Sequence, residues 1–190
     1  VIALGSSRAR SAKTPGDKRT LSFNALPGVP DEAHAADPNA LLDEKFDRAA
    51  WEKVLTDRGR STIHLATHCQ LGSDNASTFI LLGDGTLFAL SELKDEKSSL
   101  SFAGVDLLVL SACQTAVGDG DGTELEGFAA VCEMKGARAV LASQWKVDDT
   151  ATQRIMQRFY ALRSEHRDWT KLACLNQATK DLREGKLGTK

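Results

Sequence analysis

Short apolar runs alternating with stretches of helical spacing predict an α/β fold: a three-layer α/β/α sandwich with a mostly parallel central sheet covered on both faces. Three observations carry this. The run 61–67 is compact and bounded by Gly59 and by the polar stretch after His68, which suits an interior strand of a parallel sheet. The run 105–110 is the most apolar in the chain, and it leads straight to Ser111-Ala112-Cys113. Both runs therefore end beside a reactive side chain, His68 or Cys113, at the carboxyl edge where open parallel sheets bind ligands.

The elements follow in order. Val1-Ile2-Ala3-Leu4 reads as a short buried strand, and the polar stretch 6–25 as a long mobile loop. Asp37 before Pro38 is an N-cap with proline at the first helical position, and Leu42, Phe46, Ala49, Ala50 and Val54 extend a helix over 38–57. Residues 78–82 and 86–90, separated by Gly83-Asp84-Gly85, predict a hairpin. Thr123 and Glu126 form a capping-box pattern ahead of a helix that Gly136 ends. A strand at 139–142 follows, then a helix at 150–163 capped by Asp148 or Asp149, then a last helix carrying Trp169, Leu172, Ala173 and Leu182. No repeat or internal boundary divides the chain, which predicts one domain over 1–190.

Composition narrows the function. A net charge of -2, with no run of five like charges, supplies no basic field for nucleic acid. No stretch approaches the roughly 20 apolar residues of a membrane span, and the opening residues lack the apolar core of a signal peptide. Four widely spaced cysteines, Cys69, Cys113, Cys132 and Cys174, predict free thiols in a reducing, cytoplasmic setting.

Two strand ends carrying an imidazole and a thiol suit nucleophilic catalysis. A thiol with a pKa of about 8.5 is mostly protonated at neutral pH, and an adjacent imidazole raises the thiolate fraction and later protonates the leaving amine. The competing reading is that Cys113 is a small apolar core residue, the commoner fate of cysteine. Cys132 and Cys174 fall on apolar helix faces and read as core, and His64, between Ile63 and Leu65, reads as a buried imidazole bonded to a neighbour. His64 and His68 would stand roughly 13 Å apart along a strand, too far to share a metal ion. Asp119-Gly120-Asp121-Gly122-Thr123 lacks the ligand spacing of a calcium loop. No metal or other cofactor is expected.

His64-Leu65-Ala66-Thr67-His68 and Leu110-Ser111-Ala112-Cys113-Gln114-Thr115 resemble the motifs of the CHAT family, caspase-like peptidase domains related to separases. The resemblance extends in family order to residues 26–33, to 135–140, and to 143–149 with Phe159-Tyr160 beyond, and so covers nearly the whole chain. It implies a caspase-like fold and a cysteine endopeptidase in which His68 is general base and acid and Cys113 is nucleophile. The backbone N–H groups of Cys69 and Cys113 would form the oxyanion hole. Cys69 stands where the family usually has glycine, which puts the local turn in question. Ser143, Gln144 and Trp145 are implied to line the peptide groove. Asp149 resembles a separase acid that reads a basic P1 residue; the alternative is that Asp148 and Asp149 only cap the following helix. The partners implied are a protein or peptide substrate and a regulatory helical-repeat region or activator. A catalytically silent interaction module of the same fold is the alternative function.

Overall fold

The structure, a computed structural model, describes residues 1–14, 20–70, 77–111, 123–143 and 148–188. Its elements run β1 (Ile2–Gly5), β2 (Arg10–Lys13), β3 (Thr20–Phe23), α1 (Val29–Ala36), β4 (Leu41–Leu42), α2 (Arg48–Thr56), β5 (Thr62–Ala66) and β6 (Cys69–Gln70). They continue β7 (Phe79–Leu81), β8 (Leu87–Ala89), α3 (Leu90–Lys94), β9 (Leu107–Leu110), α4 (Thr123–Met134), β10 (Val140–Ala142), α5 (Asp149–Glu165) and α6 (Lys171–Arg183). Five strands form a parallel sheet in the order β10-β9-β5-β1-β4. The α/β sandwich with a central parallel sheet is thus present, and the two runs that predicted it, β5 and β9, are adjacent.

Register explains how the strands build two cores. His64 pairs with Val109, and Val109 with Leu141. Because side chains alternate along a strand, these positions share one face. Leu107 and Val109 there pack on Met156, Phe159 and Leu162 of α5 and on Cys174 and Ala178 of α6. Leu108 and Leu110 point the other way, against Trp51, Val54, Phe128, Val131 and Cys132. Burying such side chains on both faces contributes about 1.5–3 kcal/mol each, which is why β9 carries no polar residue.

The hairpin at β7 and β8 has the expected turn: Gly85 takes φ 89° and donates to Leu82 O, and Asp84 Oδ1 accepts from Thr86 N at 2.9 Å. Helix α4 starts at Thr123, and Gly136, at φ 109°, follows its end. Among the described residues no helix is long and apolar enough to cross a membrane.

Two expectations are corrected. The 6–25 segment, read as a loop, contains an antiparallel ladder pairing Arg10 with Phe23 and Lys13 with Thr20. Ala12, Leu21 and Phe23 turn one face of that ladder onto Phe79, Leu81 and Leu87. Three apolar positions among many polar ones made too weak an alternation to detect. The single helix over 38–57 is replaced by β4, a 3-10 turn at Asp43–Lys45 and α2, whose N-cap Asp47 accepts from Ala50 N at 2.8 Å. Leu42 and Phe46 mimicked helical spacing, but Leu42 belongs to an edge strand and Phe46 to a turn pressed into the core. The helix with proline in its first turn is α1, where Gly28 is N-cap and Pro30 follows Val29. Asp37 instead closes that helix, donating its N–H to Ala33 O.

Cys132 is fully buried, and burial pushes its thiol pKa from 9.0 up to about 12. A group whose folded pKa is raised contributes stability below its unfolded pKa and loses it as pH rises towards the folded value. Between about pH 8 and pH 10.5, wild-type protein is therefore expected to lose more urea stability than Cys132→Ala. At about pH 8 the variant is expected to be less stable by roughly 0.5 to 3 kcal/mol. Parallel melting or urea curves check both.

Candidate active site

The site is assembled where β5 and β9 end. Past β5, Thr67 Oγ1 donates to Leu81 O, and Leu81 N donates to His68 O at 2.9 Å. These bonds tie the strand exit to the β7 hairpin and fix the backbone that carries His68. The His68 side chain is 1% exposed, with its ring 5.3 Å from the Phe23 ring and its Nε2 2.7 Å from the main-chain oxygen of Asn24. A carbonyl only accepts, so Nε2 carries the proton, and in the neutral ring the basic lone pair is on Nδ1. Phe23 and Asn24 lie in the segment read as a loop, so sequence reasoning missed both. Only the weak alternation around Leu21 and Phe23 hinted at them.

Cys69 begins β6, opposite Ile80. Since His68 O and Leu81 N bond to each other, Cys69 and Ile80 are a non-hydrogen-bonded pair, and the Cys69 N–H points away from β7. Cys69 is in extended backbone and is not among the residues with positive φ. A side chain in place of glycine therefore costs no backbone strain here.

Cys113, Gln144 and Trp145 lie outside the described residues. Ser111, the last described residue before Cys113, and Ser143 line one cavity of about 410 Å³ at the carboxyl ends of β9 and β10, beneath α5 and α6. Ser111 was not expected to contribute, although its place two residues before Cys113 is legible in the sequence.

Asp149 is the first residue of α5, while Asp148 is the N-cap and accepts from Ala151 N at 2.9 Å. The Asp149 carboxylate reaches across to α1, where Oδ2 accepts from Gly28 N at 2.8 Å. A Cβ on Gly28 would stand 3.0 Å from that oxygen, so the close approach favours glycine there. Gln153 adds a second tie one turn on, donating to Asp31 Oδ2 at 3.0 Å. Asp148, not Asp149, caps α5; the Asp149 carboxylate is docked on the N-terminus of α1, a placement that neither reading of it named.

The same junction holds a buried polar chain. His64 and Glu32 are 0% and 1% exposed, with Nε2 and Oε1 3.1 Å apart, in ion-pair range but off the hydrogen-bond direction. On its other side His64 Nδ1 is 3.0 Å from the Tyr160 hydroxyl. Burial, and secondarily the nearby Glu32 charge, raise the Tyr160 pKa far above its ordinary value, so the phenol stays protonated. The expected buried imidazole with a bonded neighbour is present, with partners that sequence spacing did not reveal.

The sequence model of the CHAT domain matches residues 2–189. The chain belongs to the CHAT domain family. No curated protein matches it. The CHAT assignment agrees with the caspase-like sandwich built on the parallel sheet.

Two outcomes are expected at the junction of this CHAT domain. Asp149→Asn keeps an acceptor for Gly28 but loses the charge, so it costs about 0.3–1 kcal/mol, read from denaturation curves. Tyr160→Phe leaves a buried imidazole nitrogen without its partner and costs about 1–3 kcal/mol, read from the urea midpoint.

Proposed function

We propose that this CHAT domain is a cysteine endopeptidase that hydrolyses peptide bonds in protein substrates with His68 and Cys113. The observation that carries the reading is the anchoring of His68: its Nε2–H is held by a main-chain carbonyl at the carboxyl end of β5, beside the strand that runs into Cys113. With Nε2 occupied, Nδ1 is the atom that takes the thiol proton.

The chemistry then balances. Cys113 Sγ gives its proton to His68 Nδ1 and bonds to the peptide carbonyl carbon, while the carbonyl π electrons move to oxygen. The oxyanion is met by the N–H groups of Cys69 and Cys113. The carbon–nitrogen bond breaks, the amine takes the proton from His68, and a thioester remains on Cys113. Water, deprotonated by the same imidazole, attacks the thioester; the acid product leaves and the thiol is restored. The pairing of Leu81 N with His68 O supports the Cys69 role, because it turns the Cys69 N–H away from the hairpin.

Cys113→Ala and His68→Ala are expected to reduce peptide turnover to background while each melts as a folded domain. Asn24→Ala is expected to keep most of the activity, because the anchor for His68 is the main-chain oxygen, not the Asn24 side chain. Turnover of a mixed peptide library, with melting curves for each variant, checks the three. Unchanged turnover in Cys113→Ala would reject the nucleophile. A folded wild type that cleaves nothing and is not labelled by electrophilic peptides would point to a silent interaction module.

A further inference from the structure

The cavity at the ends of β9 and β10 has an unusual lining for a site beside a proteolytic centre. Its walls are Leu141, Ile155, Met156 and Leu175, and none of the described residues that line it is charged. Of the four hydroxyl side chains on its described lining, Ser111, Ser143, Thr152 and Thr179, two are already committed: Thr152 Oγ1 donates to Asp148 O and Thr179 Oγ1 to Leu175 O, each at 2.9 Å. Ser111 Oγ is buried and has no hydrogen-bond partner among the described residues. That hydroxyl can donate to a weak acceptor on a ligand group that seats against it. The volume, about 410 Å³, lies at the small end of ligand pockets and suits one long side chain with its flanking main chain.

Resting on the peptidase reading above, we infer that this cavity takes the P1 side chain of the substrate and selects a long aliphatic one, methionine or leucine, over a basic one. Ser111 lies two residues before Cys113 along the chain, so a side chain seated against Ser111 belongs to a residue close to the bond that Cys113 attacks. An unbranched, polarisable methionine fills such a cavity and offers its sulfur to Ser111 Oγ. A guanidinium or ammonium there would leave water for a wall whose described residues carry no counter-charge. The carboxylate nearest in sequence, Asp149, is turned to Gly28 instead.

Two measurements separate this inference from the peptidase reading. In wild-type protein, peptides differing only at P1 are expected to show kcat/KM at least roughly tenfold higher for methionine or leucine than for arginine or lysine. In Cys113→Ala, which cannot turn substrate over, the methionine peptide is expected to bind more tightly than the arginine peptide by fluorescence polarisation. Thr152→Phe, which fills the cavity from α5, should lower kcat/KM for the methionine peptide at least roughly tenfold relative to an alanine peptide. Equal or tighter binding of the arginine peptide, or no binding of either, overturns the cavity assignment. Discriminating binding without any wild-type cleavage overturns the peptidase reading, and with it the P1 role, and leaves only the cavity's preference for an aliphatic side chain standing.

Discussion

The register of β5 against β9 is the constraint on which the rest depends. Parallel pairing of His64 with Val109 puts their side chains on the α5 and α6 face, and the same alternation along β9 turns Ser111 to that face as well. Sliding β5 by one residue would drive Ile63 and Leu65 out of the core formed with Trp51, Val54 and Leu108 and bring polar Thr62 and His64 into it. Hydrophobic patterning thus fixes where the polar groups emerge, because a slip would cost several buried aliphatic side chains at once.

A second layer of constraint lies where α1 meets α5. Apolar packing alone permits two helices to slide, whereas directional bonds do not. Asp149 on Gly28, Gln153 on Asp31 and His64 on Tyr160 bind α1, β5 and α5 at fixed points, and the buried Glu32 carboxylate faces the other nitrogen of His64 at ion-pair range. The buried members of this set are expensive to leave unpaired, so they penalise any other packing more than they stabilise this one. The first turns of α1 and α5 are thereby held together, and Thr152 and Ile155, on the next turn of α5, are set over the cavity.

The central strands were legible because burial on both faces leaves a composition that nothing else produces: 105–110 and 61–67 could hardly be anything but interior strands. The hairpin at Gly85 was legible for a different reason, since its turn needs a residue that tolerates positive φ. What failed was structure whose cause is distant in sequence. Leu42 and Phe46 looked helical until β1 claimed Leu42 as an edge partner, and Ala12, Leu21 and Phe23 looked like loop residues until β7 and β8 gave them a surface. Asp148 and Asp149 show the same limit at one residue's resolution. Either suits a cap, and only the approach of Gly28 from more than a hundred positions away separates their tasks.

Two histidines four residues apart illustrate how environment divides chemistry between identical groups. His64 has a side-chain group facing each ring nitrogen, a carboxylate on one side and a phenol on the other, and these neighbours hold the ring in place. His68 is anchored on one nitrogen by a main-chain oxygen, which can accept but never donate. That anchor fixes the tautomer without presenting a second acid or base to compete for the proton that the proposed chemistry moves. It also explains why sequence could suggest the histidine but not its partner. A carbonyl belongs to every residue, and only the path of the chain through Phe23 and Asn24 decides which one arrives.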